Sequence, residues 1–110
     1  MQRISLEALA RQQLERAADA GGGHTADTAY GGSEKVLRQT VIGMIEGAFL
    51  AEHENPGEAT VQVLRGRVRL SSGDLSWEGR TGDLIFVPNA RHRLDALEDS
   101  AVLLTVAKLP

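Results

Sequence analysis

The chain reads as an all-β protein, a small sandwich or barrel, with one α-helix at its N-terminus. Short runs rich in β-branched or apolar residues follow one another from Lys35 to the end, and glycine, proline or asparagine separates each run from the next. Helical periodicity appears once, over residues 5–20. A length of 110 residues leaves room for a single modest core. The expected division is an N-terminal helix with a flexible connector and edge segment over 1–34, then a β-barrel over 35–110.

In residues 5–20, Leu6, Leu9, Ala10, Leu14 and Ala17 form one stripe, and Glu7, Arg11, Gln12, Glu15, Arg16 and Asp19 cover the rest. Ser5 is placed to cap the N-terminus and Gly21 to follow the C-terminus. The stripe is narrow and alanine-rich, which fits a helix lying on a sheet. Gly21-Gly22-Gly23 lacks the Lys-Ser/Thr and the preceding strand of a phosphate loop, so it reads as a connector. Residues 24–30 form a short edge strand, and Gly31-Gly32 a turn.

Eight further strands are expected over residues 36–42, 48–53, 60–64, 67–71, 75–78, 84–87, 92–96 and 102–107. The turn signals between them are Gly43, Asn55-Pro56-Gly57, Gly66, Ser72-Gly73-Asp74, Gly79, Gly82-Asp83 and Pro88-Asn89. Alternation puts Phe49, Ala51 and His53 on one face and Leu50, Glu52 and Glu54 on the other. If Phe49 lines the interior with Val61 and Val63, His53 points inward too. The Arg65, Arg67 and Arg69 cluster then reads as a solvated strand face.

Composition narrows the functions. Net charge is −3 and no basic run occurs, which argues against nucleic acid as a partner. There is no cysteine, so disulfides, thiolate metal sites and a cysteine nucleophile are absent. Charges at Arg3, Glu7, Arg11, Glu15 and Arg16 interrupt any secretion signal, and no apolar run is long enough for a membrane span. A cytoplasmic protein is the expectation. No serine lies in a G-x-S-x-G elbow.

The residues able to do chemistry lie around His53 and His92. Gly47 is followed after five residues by His53, and Gly66 closes that stretch; Gly82 is followed after five residues by Pro88, with His92 shortly beyond. This framework resembles the two signature motifs of the cupin superfamily, G-x5-H-x-H-x3,4-E-x6-G and G-x5-P-x-G-x2-H-x3-N. The resemblance implies a jelly-roll β-barrel in which His53 and His92 converge, and a divalent transition metal (Zn, Fe, Ni, Cu or Mn) as the cofactor to consider. The chain departs from the pattern at several places. The second histidine of the first motif falls on Asn55, and the glutamate position falls on Ala59, beside Glu58. His92 comes one residue early, Ala90 replaces the motif glycine, and the final asparagine falls on Ala96. His53 and His92 are the leading metal candidates, with Asn55 and Glu58 behind them. Asn55 also belongs to a favourable turn, and Glu58 should face outward by parity.

Three readings of function follow. One is a stand-alone cupin that binds a small molecule or divalent metal in its barrel through His53 and His92, without catalysis. The others are a metal-dependent dioxygenase or isomerase, and a structural cupin whose metal site has decayed. The missing carboxylate at residue 59 weighs against the enzyme and favours the binding and structural readings, of which the binding reading is preferred. A homodimer is expected, with Leu50 and Leu64 as exposed apolar residues and an N-terminal segment free to join a neighbour's sheet.

Overall fold

A computed structural model describes residues 2–54 and 57–108, and of His53 the backbone alone. Among the described residues the single helix, α1, spans Leu6–Ala18. Ser5 caps it, its Oγ accepting the Ala8 N–H at 3.1 Å, so one of the N–H groups that a helix start leaves unpaired is satisfied. The buried stripe is Ala10, Gln13 and Ala17, at helical spacing i, i+3 and i+7; Leu6, Leu9 and Leu14 lie half-buried on its flanks. The expected stripe missed Gln13 because a glutamine is ordinarily solvated. What puts it inside is Gly43, on the sheet beneath: a side chain there would collide with the Gln13 carbonyl, so the helix sits very close to the sheet.

Among the described residues nine strands follow: β1 His24–Tyr30, β2 Leu37–Met44, β3 Phe49–His53, β4 Gly57–Arg65, β5 Arg67–Ser72, β6 Leu75–Arg80, β7 Leu84–Phe86, β8 His92–Ala96 and β9 Ser100–Lys108. They form two antiparallel sheets, one ordered β1-β2-β9-β4-β7 and the other β3-β8-β5-β6. Consecutive strands repeatedly change sheet, which is the double Greek key of a jelly roll. β1 occupies the edge, as expected, and pairs with β2 of its own chain from His24 opposite Met44 to Tyr30 opposite Gln39. The N-terminal segment is therefore built into the larger sheet, with α1 packed across β1, β2 and β9.

Two expected turns are strand interiors. Gly43 lies within β2, and Gly79 lies within β6, where an added Cβ would come within 2.9 Å of the Ile85 side chain. Both glycines serve close approach between layers rather than chain reversal. Gly66, by contrast, is a turn glycine, with φ of +88° between β4 and β5.

The core lies between the inner faces of the two sheets. Ile42, Met44, Val61, Val63 and Val102 come from the larger sheet, and Val68, Leu70, Leu94 and Ala96 from the smaller. Burial of this aliphatic surface is the main favourable term in folding. On the outer face of the larger sheet, α1 covers buried Val41, Gly43, Ala101 and Leu103.

Phe49 and Leu50 of β3 take the faces opposite to those expected. Phe49 is 45% exposed, while Leu50 packs against the core and lies opposite Leu94 of β8. Strict alternation failed because the ladder slips between Leu50 and His53: three residues of β3 span what two span on β8. Phe49 instead sits on the solvent side, 4.0 Å beneath the Arg93 guanidinium. Leu50 is thereby removed from the exposed apolar surface expected to support a dimer.

Candidate functional site

β8 lies between β3 and β5 and alternates strictly, with His92, Leu94 and Ala96 buried and Arg93 and Asp95 turned outward. His92 is only 3% exposed. Its Nδ1 lies 2.9 Å from the Ala90 carbonyl oxygen. A carbonyl can only accept, so Nδ1 carries a proton and donates it to Ala90. A histidine that ligates a metal or accepts a hydrogen bond is commonly oriented in this way.

The loop before His92 is fixed on both sides. Val87 N–H donates to the Ala59 carbonyl at 3.1 Å, and Ser72 Oγ donates to the Arg91 carbonyl at 2.8 Å. Arg91 also meets Glu52 of β3 at 3.4 Å, a solvent-exposed pair of small energetic weight.

Beside His92 is a slot lined by Ile42, Leu50, Val61, Leu70, Leu94, Val102 and Leu104. Its volume is about 20 Å³, which takes one water-sized group. Among the described residues its walls are seven aliphatic side chains and the His92 imidazole. Leu50, Leu70 and Leu94 had not been singled out as site residues; the alternation of β5 and β8 carries the signal for the last two.

The backbone ladder places His53 directly opposite His92. The His53 side chain and Asn55 lie outside the described residues. Glu58 is exposed on β4, on the face opposite to buried Ala59. Ala59 itself stands on the inner face opposite Val106, where the motif carries its carboxylate. Among the described residues no three His, Asp or Glu side chains are grouped to hold an ion.

The outer face of the smaller sheet has a different character. Arg93 forms a bidentate pair with Asp95, with contacts of 2.8 to 3.1 Å. That hydrogen bonding raises the guanidinium further above its ordinary pKa, so Arg93 is a cation at every working pH. Arg69 meets Glu78 at 3.4 Å, and Arg67 lies 3.7 Å from both Glu78 and Glu98. The arginines are balanced by carboxylates, as a solvated strand face requires.

No family model matches the chain, and no curated protein matches it in sequence. Solved structures do. A conserved protein of unknown function from Streptococcus pyogenes superposes with a TM-score of 0.73 at 25% identity, covering 83% of this chain and 79% of its own. A cupin-superfamily protein from Desulfitobacterium hafniense gives 0.71 at 15% identity, with 78% of each chain covered. An RmlC-like cupin from Shewanella frigidimarina gives 0.70 at 21%, covering 83% of this chain and 81% of its own. Two antiparallel sheets in jelly-roll order, with the framework glycines at Gly47, Gly66 and Gly82 all at positive φ, give this chain the fold of the small cupins on which it superposes.

Proposed function

We propose that this cupin is a binding module without catalysis, and that its ligand docks in the barrel against His92. The observation that carries the reading is the buried imidazole, held at Nδ1 by the Ala90 carbonyl, on the wall of an aliphatic slot. The chemistry matched to that slot is a largely apolar small molecule with one small polar group. A ligand larger than one such group enters by displacing β3, an edge strand whose ladder is already interrupted next to Leu50.

The register of His53 opposite His92 supports a second reading, in which two imidazoles hold a divalent transition metal. Ala59 weighs against metal-dependent catalysis, since the site lacks the carboxylate that the motif carries.

Calorimetric titration of the wild type, His53→Ala and His92→Ala with zinc, nickel and a panel of small alcohols and amines separates the readings. Organic ligand uptake that is lost in His92→Ala and kept in His53→Ala supports the first. Metal uptake lost in both variants supports the second. Uptake of neither class by the wild type overturns both.

A further inference from the structure

The two sheets have four edge strands, and three of them are poor templates for another chain. β1 slips register between Thr28 and Tyr30, β3 slips between Leu50 and His53, and β7 has three residues. β6 differs. It pairs with β5 without a slip from Arg67 opposite Arg80 to Ser72 opposite Leu75, contains no proline, and among the described residues hydrogen-bonds to no strand on its other side. An unbroken edge of this kind pairs with another strand unless something blocks it.

The surroundings of β6 are apolar. Trp77 is 40% exposed, and Leu75, Leu84 and Phe86 are more exposed still. Trp77, Leu84, Ile85 and Phe86 line a groove of about 510 Å³ along the seam between β6 and β7, with Glu78 and Asp83 at its rim.

We propose that this edge pairs with β6 of a second copy, antiparallel about a two-fold axis through Trp77. Such an interface is self-complementary by symmetry, so the sequence of β6 must match its own reverse. In this register it does. Trp77 faces the partner's Trp77, Leu75 faces the partner's Gly79, and Ser76 faces the partner's Glu78. Asp74, in the β5–β6 turn, comes opposite the partner's Arg80, and Arg80 opposite the partner's Asp74. No like charges oppose each other. Neither Asp74 nor Arg80 has an ion pair within the described chain, while Glu78 is already engaged by Arg67 and Arg69.

The faces agree as well. Trp77 lies opposite Leu70 and Gly79 opposite Val68, both on the core side, while Glu78 lies opposite Arg69 on the solvent side. Pairing centred on a residue keeps core side with core side, and the two smaller sheets become one sheet of eight strands. The partner's Trp77 then fills the groove beside Leu84 and Phe86. A register centred on Glu78 would oppose two glutamates, and one centred between residues would turn one copy's core side toward the other's solvent side.

Trp77 is the single tryptophan of the chain, so its emission reports this contact directly. Sedimentation velocity and Trp77 emission over a dilution series should show a dimer whose dissociation shifts the emission to the red. Arg80→Asp should weaken association about tenfold or more, because two favourable pairs become two repulsive ones. Asp74→Arg with Arg80→Asp should restore it, and circular dichroism should show each variant folded. A wild type that stays monomeric at every concentration overturns the proposal. A dimer that Arg80→Asp does not weaken, or whose formation leaves Trp77 emission unchanged, overturns it equally.

Discussion

His92 of β8 lies in register opposite His53 of β3, one slip beyond the point where Leu94 faces Leu50. The slip reconciles two facts that strict alternation cannot hold together. Leu50 packs in the core, yet three positions later on β3 the ladder resumes opposite inward-facing His92. A family framework written as residue spacings contains this register only implicitly.

The faces of β3 are tested by two truncations. Leu50→Ala removes a side chain packed on the core and should cost about 2–4 kcal/mol. Phe49→Ala removes a half-exposed ring and one cation–π contact with Arg93, and should cost about 1 kcal/mol or less. Urea unfolding of both variants measures the difference, and equal losses would restore the alternating assignment.

The docking of α1 is tested at Gly43. An alanine there collides with the Gln13 backbone, and the helix must lift or shift. Gly43→Ala should destabilise by about 1–3 kcal/mol and speed amide exchange in Leu6–Ala18. Unchanged exchange would mean that the helix is not held by this contact.

Gln13 gives the opposite prediction. Its side-chain amide is fully buried, and neither of its polar atoms has a hydrogen-bond partner among the described residues. A buried amide without partners costs about 1–3 kcal/mol. Gln13→Met keeps the shape and removes the polar atoms, so its urea midpoint should rise. A lower midpoint would show that the amide is satisfied by internal water.

His92 also contributes to stability. His92→Ala loses the bond to the Ala90 carbonyl and opens space beside Leu94, for an expected cost of about 2 kcal/mol. His92→Gln retains a side chain that can donate to the same carbonyl, and should recover part of that loss in the same denaturation experiment.

Much of this architecture was legible before the structure. Ser5 as the cap, the β1 edge and the succession of short strands follow from local chemistry, and so do the turn glycines Gly66 and Gly82, which the structure holds at positive φ. What escaped was set by contacts distant in sequence. Gly43 and Gly79 look like turn residues until α1 and β7 pack against them. Gln13 looks solvated until Gly43 lets the sheet approach. Phe49 outranks Leu50 as a core residue by size alone, and only the slip against β8 reverses them. At the site, the sequence supplied His92 and the absence of a carboxylate at Ala59; it did not supply the aliphatic wall of Leu50, Leu70 and Leu94.

The imidazole nitrogens of His92 can be followed directly by long-range nitrogen–proton correlation spectra. Binding in the barrel predicts a protonated Nδ1 in the free protein. It also predicts an Nε2 resonance that shifts saturably with a small alcohol, an amine or zinc, and no such shift of the exposed His24. A His92 that is protonated at Nδ1 and unmoved by every one of these probes would be a structural core histidine, and the binding function would be contradicted.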